Sequence, residues 1–195
     1  MYSSTQLVVS VIILTALTSG GNCQTANKCK LEFLKKINDN VWKQIGIPTD
    51  ILKTASEAGK EYIVRTTEGY YPADVKCAYT VFGDEGKTVQ LITISGTKSS
   101  HPEKDPLEEH DGVVEEEDTH IKRVHIYSKE GVVVWYKCLD EGDDGPIEVA
   151  MKVKENSFDP DKVTQVKALI LNELGVDLKQ DYNHDCAVDG GNGNL

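Results

Sequence analysis

The sequence lacks any run of the roughly 20 apolar residues that a transmembrane helix needs. An almost uninterrupted apolar run at residues 7–17 is shorter, and small residues follow it at positions 19–21. This order is typical of a secretory signal peptide, although no basic residue precedes the run. We therefore predict a signal peptide over residues 1–23 and a soluble mature protein that begins at Gln24 and is secreted to the extracellular space.

The sequence also lacks the common signatures of enzymes. It contains no GxSxG, no Walker loop and no HExxH. In a secreted chain the cysteines are expected to form disulfides rather than to act as nucleophiles. We therefore predict that the protein is not an enzyme and needs no cofactor.

Positive charge is scarce in this chain. It has 21 Lys and Arg against 32 Asp and Glu, which gives a formal net charge of −11. Nucleic acids and anionic membranes repel a protein of this charge, so we predict that neither is a partner.

The acidity is concentrated in residues 101–120, HPEKDPLEEHDGVVEEEDTH, which contain nine acids and one lysine. Two prolines and few residues that could pack in a core predict a mobile acidic loop over residues 98–119. This loop is either a solvated run or a docking surface for a basic partner protein. The spacing of His101, His110 and His120 matches no compact ligand pattern, so we predict no metal site.

Five cysteines are present, and an odd number in a secreted chain suggests a free thiol or an intermolecular bridge. Signal cleavage after Cys23 would leave four cysteines and two bridges, whereas cleavage after Gly20 or Gly21 would keep all five. We favour two bridges, for which the sequence alone allows three connectivities. The four remaining cysteines are Cys29, Cys77, Cys138 and Cys186.

Three helices are predicted from apolar spacing and end signals. Residues 30–45 repeat apolar side chains at helical spacing. A short helix follows Pro48 and ends at Gly59. The clearest helix lies between Asp159 and Gly175, because an N-cap acid, a first-turn proline and a terminal glycine frame it.

Six strands are predicted between the second and third helices, because short segments rich in β-branched and aromatic residues alternate with turn signals. Tight links at residues 83–86 and 129–131 indicate antiparallel hairpins. This order predicts one mainly β domain over residues 24–187, a barrel or strongly curled antiparallel sheet with N-terminal helices and a C-terminal helix, followed by a disordered tail at 188–195. The strands are predicted over residues 61–67, 76–82, 88–96, 120–128, 132–138 and 145–155.

Residues 59–96, GKEYIVRTTEGYYPADVKCAYTVFGDEGKTVQLITISG, resemble the start of the tick salivary lipocalins. That family includes histamine-binding and complement-inhibiting members, and the resemblance extends over about residues 48–187. It consists of a strand with a tyrosine and an aliphatic–aliphatic–basic run, a cysteine on the second strand, a hairpin, and two later cysteines. The corresponding residues of this chain are Tyr62, Val64, Arg65, Cys77, Cys138 and Cys186.

The resemblance implies an eight-stranded lipocalin barrel that is tied at both termini. Cys77 would pair with Cys186 and Cys29 with Cys138, and each long-loop bridge would contribute up to about 4–5 kcal/mol, less any strain. Only six strands are recognisable in the sequence. Either two more are hidden between residues 96 and 120, or the barrel is incomplete.

The amine-binding members of the family carry a cysteine followed directly by an aspartate, and later a Glu-Leu-aromatic triplet. In this chain Leu139 follows Cys138, and the aspartate is displaced by one position. Glu148 matches the glutamate, but Val149 and Ala150 replace the two residues after it. A buried carboxylate can hold an ammonium group, and a nearby aromatic face adds up to about 2 kcal/mol. Glu148 is therefore a candidate ligand-binding residue.

Strand alternation argues against that role for Glu148. One face of residues 147–154 is apolar, whereas the other carries Glu148, Ala150 and two lysines. Because a small barrel fills its interior with apolar side chains, we predict that Glu148 points outward into solvent. The acids at residues 140–144 surround a glycine and are predicted to form a solvated hairpin turn.

A second candidate site lies on the strand at residues 120–128, HIKRVHIYS. If one face lines a cavity, Arg123, His125 and Tyr127 could hold the carboxylate of a fatty-acid-like mediator while apolar strand faces take its tail. The simpler interpretation reverses the strand and leaves the basic residues in water. Trp135, on the next strand, is a further candidate contact, although a core position is its simpler role.

We therefore predict a secreted, monomeric lipocalin-like protein that binds and sequesters a small amphipathic or cationic host mediator. A lipid such as a leukotriene or fatty acid is slightly favoured over a biogenic amine such as histamine or serotonin, because the amine signature is degraded. The resemblance implies an effect on host inflammation or haemostasis. The alternative is a protein-interaction module with a packed barrel, which inhibits a host immune or clotting protein through its surface. A third option is another small secreted α+β scaffold.

Overall fold

The structure is a computed structural model that describes residues 26–83, 86, 88–95, 98–100, 105–155, 157–183 and 186. The predicted signal peptide, which includes Cys23, and the predicted tail lie outside these residues. No helix within the described part of the chain is long and apolar enough to cross a membrane.

Helices lie where the sequence predicts them. Asp159 caps the C-terminal helix, since its Oδ1 accepts hydrogen bonds from the amides of Asp161 at 2.9 Å and Lys162 at 3.2 Å. Gly175 ends that helix in the left-handed conformation, with φ of 73°. The predicted N-terminal helix is one continuous helical segment with a π-helical middle turn. The helices are α1 (Leu31–Lys36), a π-helix (Ile37–Trp42), α2 (Lys43–Ile45), α3 (Ile51–Ala58) and α4 (Pro160–Leu174).

Eight strands close into an antiparallel barrel in the order β1–β2–β3–β5–β6–β7–β8–β9, and β9 pairs back with β1. Two short strands lie outside this path, β4 on β3 and β10 on β1. The mainly β lipocalin-like barrel predicted from the sequence is thereby confirmed. The strands are β1 (Lys60–Thr66), β2 (Val75–Gly83), β3 (Thr88–Ser95), β4 (Lys98–Ser100), β5 (Asp105–His110), β6 (Val113–Glu116), β7 (Lys122–Lys129), β8 (Val132–Cys138), β9 (Glu148–Lys154) and β10 (Gln180–Asp181).

The prediction of a mobile loop over residues 98–119 was wrong, because β4, β5 and β6 lie in that range. The two missing barrel strands were hidden there. Leu107 and Val114 are 7% and 3% exposed and supply the buried side of the β5–β6 hairpin. Acidic side chains dominate the remaining positions, so the alternation of two apolar residues was too weak a signal.

One acid of this hairpin has a structural role. The two carboxylate oxygens of Glu109 accept hydrogen bonds from the amides of Ile51 at 2.9 Å and Leu52 at 3.0 Å. These amides begin α3 and have no partner within the helix, so Glu109 caps α3 from a distant strand. Asp50 itself makes no side-chain capping bond. As a result α3 is held across one end of the barrel, which we call the closed end.

The largest apolar cluster lies outside the barrel, between the outer faces of β7, β8 and β9 and the helices; we call it the outer core. Strand side chains pack there against the N-terminal helical segment and α4. This arrangement explains why the apolar face of β9 does not point inward, since two amphipathic helices need an apolar sheet face to cover. Its members include Phe33, Ile37, Val41, Val132, Val134, Tyr136, Val149, Met151, Val153, Val163, Val166, Ile170 and Leu174.

Two disulfides join the ends of the chain to the barrel. Cys29 is bonded to Cys138 at the end of β8, and Cys77 on β2 is bonded to Cys186. This is the pairing that the resemblance implies. The two cysteines of each bridge are 109 residues apart in the sequence.

Candidate functional site

The inner face of β8 and β9 carries charged side chains. Because side chains alternate along a strand, the residues between the outer-core positions point into the barrel. On β9 these include Glu148 and Lys152, whose side chains are 14% and 5% exposed. On β8 they include Lys137, with a side chain that is 6% exposed. The prediction that Glu148 faces solvent was therefore wrong.

Arg123, His125 and Tyr127 all lie on β7, but their side chains do not point to the same face of the strand. Arg123 and His125 point into the barrel, where His125 lies beside Trp135 with ring centroids 6.4 Å apart. The register with β8 then shifts between His125 and Tyr127, and a β-bulge at Ile126 reverses the alternation. Tyr127 consequently belongs to the outer core. The three side chains do not converge, and alternation alone could not reveal the bulge.

Three acid–base pairs fill much of the barrel interior. Lys152 Nζ lies 3.3 Å from Glu61 Oε2, and Lys137 Nζ lies 3.4 Å from Glu148 Oε2. Arg123 pairs with Glu116, and no side chain of the three pairs is more than 14% exposed. Three cations thus balance three anions in this set. Buried charges need such partners because an isolated charge is costly to remove from water.

The Lys152 pair lies towards the closed end and is well satisfied. Its ammonium group donates a hydrogen bond to Thr80 Oγ1 at 2.9 Å and lies 4.2 Å from the centroid of the Trp135 ring. Burial lowers the pKa of Lys152 to about 8, although Glu61 opposes the shift. Trp135 is therefore both a core residue and an aromatic face for a cation.

His125 is neutral at physiological pH. Burial, and then the nearby charges of Lys152 and Arg123, lower the pKa of His125 to about 3. Arg123 is already paired with Glu116. Neither side chain therefore offers a free positive charge to the carboxylate of a fatty acid.

The pair of Lys137 and Glu148 lies towards the opposite end of the barrel, which we call the open end. Tyr70, in the β1–β2 loop, accepts a hydrogen bond on its hydroxyl from Trp135 Nε1 at 3.2 Å. Lys137 Nζ lies 4.7 Å from the centroid of the Tyr70 ring. Burial lowers the pKa of Lys137, while Glu148 opposes that shift. Carboxylate, ammonium and aromatic face thus meet in one place.

Glu148 is incompletely satisfied at this place. Its Oε2 atom is buried and has no hydrogen-bond partner among the described residues. Its contact with Lys137 Nζ is an ion pair of 3.4 Å, which is longer than a typical charge-assisted hydrogen bond. A buried carboxylate oxygen without such a partner is rare, since most buried polar atoms are hydrogen-bonded. This atom is the clearest candidate for a contact with a ligand.

Two aromatic residues of the open end were missed by the sequence analysis. Tyr70 and Tyr71 lie between the first two predicted strands, where the sequence predicts no binding residue, and their ring centroids are 4.8 Å apart. Tyr71 also contacts Tyr182, with centroids 5.7 Å apart. Two adjacent aromatic residues in a turn were the available signal, because a purely solvated turn seldom needs them.

The barrel contains a small cavity at its closed end. A cavity of about 20 Å³ lies under α3, between Ile51, Ala55 and the paired side chains of Glu61 and Lys152. This volume has room for about one water molecule. Under α3, the interior is therefore filled mainly by the protein's own side chains.

The exposed acids that the structure describes form no compact site. Those at residues 140–144 are solvent-exposed in the β8–β9 connection, as predicted, and Asp140 pairs with Lys122 on the outside of the barrel. His110 and His120 contact Glu108 and Glu115 respectively. Within the described residues no group of three or more His, Cys, Asp or Glu side chains is arranged to hold a metal ion. His101 lies outside those residues.

Comparisons with known proteins give matches in fold at low sequence identity. No protein-family model matches the sequence, and no curated protein shows significant similarity. The siderocalin Ex-FABP is similar with a TM-score of 0.48 and 14% identity, covering 70% of this chain and 97% of its own. Apocrustacyanin C2 gives 0.48 and 16% over 85% and 94% of the two chains. Lobster apocrustacyanin A1 gives 0.46 and 15% over 76% and 83%.

Proposed function

We propose that this protein binds a small amine inside the open end of its barrel, with the Glu148 carboxylate as the counter-ion. The observation that carries this proposal is the buried Oε2 atom of Glu148, which has no hydrogen-bond partner among the described residues. A primary ammonium group has three donors and would satisfy that atom.

Aromatic side chains around Glu148 support the choice of a cation. The Tyr70 ring already has an ammonium group 4.7 Å from its centroid, and Trp135 donates to the Tyr70 hydroxyl. The negative face of an aromatic ring attracts a cation, by up to about 2 kcal/mol when the contact is desolvated. An aromatic amine such as histamine or serotonin has both the charge and the flat apolar body for such a site.

The structure offers less to a lipid mediator than the sequence predicted. A fatty acid or leukotriene needs a free cation for its carboxylate and a long apolar cavity for its tail. Arg123 and Lys137 are paired with acids, so neither is a free cation for that carboxylate. An amine therefore fits the site better than a lipid.

The biological setting of this proposal comes from the resemblance to the tick salivary lipocalins. By that resemblance, the protein is secreted in saliva and sequesters a host mediator, which reduces inflammation or haemostasis at a feeding site. The two disulfides support secretion, because such bridges persist in oxidising compartments.

The test is a calorimetric titration of the mature chain from Gln24 with histamine, serotonin, a leukotriene and a fatty acid. We expect saturable one-to-one binding of an amine. Glu148→Gln should weaken that binding about tenfold or more, because it removes the counter-ion of a desolvated cation.

The matched control is Glu115→Gln, which removes a carboxylate that pairs with Lys122 on the outside of the barrel. Its amine affinity should equal that of the wild type. Lipid binding that is unaffected by Glu148→Gln would overturn the amine proposal in favour of a lipid.

A second candidate function is supported by the exposed acids of the β5–β6 hairpin. A packed barrel with no ligand could act through its surface on a basic host protein, and β5–β6 with the following turn exposes Glu108, Asp111, Glu117 and Asp118. Replacing these four acids by lysine should then abolish a salt-sensitive interaction without unfolding the barrel. The absence of binding by all four small molecules would favour this surface function over the amine site.

A further inference from the structure

We propose that Lys137 is an internal occupant of the amine site, so that a ligand binds only by displacing the Lys137 ammonium group from Glu148 and the Tyr70 ring. This inference rests on the proposed function, which assigns an amine to that place. The displacement of Lys137 would set the affinity and the selectivity of the site.

The position of Lys137 carries the proposal. Its Nζ atom lies 3.4 Å from Glu148 Oε2 and 4.7 Å from the centroid of the Tyr70 ring. A carboxylate on one side and an aromatic face on the other are the two contacts that an ammonium ligand requires. The protein's own ammonium group therefore makes the contacts that a ligand would make.

The three interior pairs differ in how firmly they are held. Glu116 pairs with Arg123 and also accepts a hydrogen bond from Thr119 Oγ1 at 2.6 Å. Lys152 donates to both Glu61 and Thr80. The Lys137 pair is the one whose carboxylate keeps a buried oxygen without a hydrogen-bond partner among the described residues. It is therefore the pair whose carboxylate can gain a hydrogen bond from a ligand.

Charge balance requires displacement rather than addition. The interior set holds three cations and three anions, and one more ammonium group would leave a positive charge without a partner. An unpartnered buried charge is strongly unfavourable. Lys137 is the penultimate residue of β8, so its flexible four-carbon stem can carry the ammonium group towards the open end.

This arrangement also gives selectivity. A ligand must compensate the broken Lys137–Glu148 pair by making better contacts than a lysine side chain does. A flat aromatic amine can stack on Tyr70 and hydrogen-bond to Glu148 Oε2 together, whereas an alkyl amine reproduces only what Lys137 already provides. We therefore expect aromatic amines to bind and simple alkyl amines to be rejected.

The experiment compares histamine and serotonin binding by the wild type, Lys137→Met and Lys122→Met, measured by calorimetry on the mature chain. Lys137→Met keeps the apolar stem and removes the ammonium group, so its amine dissociation constant should fall about tenfold or more. Lys122→Met breaks a lysine–acid pair on the outside of the barrel and should change affinity less than about twofold. The double variant Lys137→Met with Glu148→Gln should not show this gain in amine affinity.

The outcomes separate this inference from the proposed function. Amine binding by the wild type that is equal or weaker in Lys137→Met would overturn the role of Lys137 and leave the function standing. Binding by Lys137→Met but not by the wild type would support the occupant role and overturn amine binding as the natural function. Binding by neither would overturn both.

A measurement on the wild type keeps the proposal testable if Lys137→Met does not fold. The ε-methylene protons of Lys137 should show ring-current shifts from Tyr70 in the free protein, with the resonance identified through Lys137→Arg. Saturation with histamine should move them to the values of an exposed lysine. Unchanged resonances in a protein that has bound histamine would overturn the proposal.

Discussion

The two faces of β7, β8 and β9 are buried to a similar degree but differ in chemistry. On the outer face Val134, Tyr136 and Met151 are at most 1% exposed and pack against helices. On the inner face Lys137 and Lys152 are 5% and 4% exposed and pair with acids. Burial alone therefore does not identify which face of a barrel strand is apolar.

The two faces contribute differently to the stability of the fold. Apolar burial is the main favourable contribution to folding, so the outer core is where stability is expected to come from. Buried ion pairs contribute little net stability, because desolvation offsets most of their attraction. The net stability of the fold therefore does not explain why three such pairs lie inside one barrel.

The largest loss of stability is expected from a substitution on the inner face. Glu61→Gln should destabilise the protein by about 3–5 kcal/mol, because it leaves the buried Lys152 ammonium group without its anion. Chemical denaturation at pH 7 measures this change. Adding Lys152→Met should restore most of the lost stability, since the remaining side chains are then neutral. A double variant as unstable as the single one would show that the pair does stabilise the fold.

The next largest loss of stability is expected from a substitution on the outer face. Ile170 is fully buried in the outer core, and Ile170→Ala should cost about 3 kcal/mol through lost burial and a cavity. Here no second substitution is expected to restore stability in the way that Lys152→Met does. Leu171→Ala is the matched control, because Leu171 is 43% exposed on the same helix. Equal losses in the free energy of unfolding for both variants would contradict the assignment of the outer core.

The smallest expected effect is a pH dependence of stability, which arises from His125 on the inner face. The unfolded chain protonates His125 below about pH 6.5, whereas the folded protein keeps it neutral down to about pH 3. The folded state therefore binds fewer protons in this window, and stability should fall as pH decreases, by about 1.4 kcal/mol per unit from this residue. Above pH 6.5 the effect is absent.

Urea denaturation of the wild type and His125→Phe between pH 7 and pH 5 measures that contribution. The variant should be less sensitive to acid, because phenylalanine cannot be protonated. His110→Phe replaces a histidine exposed to solvent and should keep the wild-type sensitivity. Parallel curves for the wild type and His125→Phe would mean that folding does not lower the pKa of His125.

Much of the fold could be predicted from local patterns. Asp159, Pro160 and Gly175 frame α4 because caps act within one helical turn. Six of the barrel strands were recognisable because their turns and β-branched residues are local features. Strands β5 and β6 were missed, since only Leu107 and Val114 mark their buried side among many acids.

Less of the candidate site could be predicted, because it depends on which face of a strand points inward. Alternation separates Glu148 from Val149 but does not say which of them the helices will cover. The presence of two amphipathic helices was the usable clue, since they require an apolar sheet face. The bulge at Ile126, which sends Tyr127 outward, depends on register with β8 and has no local signature.

The two disulfides have a consequence for survival among proteases. Their cysteines interleave along the chain in the order Cys29, Cys77, Cys138, Cys186, with the first joined to the third and the second to the fourth. Cleavage of any one peptide bond between Cys29 and Cys186 therefore leaves both pieces covalently connected. A single nick, even in the acidic hairpin, would change the number of chain ends but release no fragment.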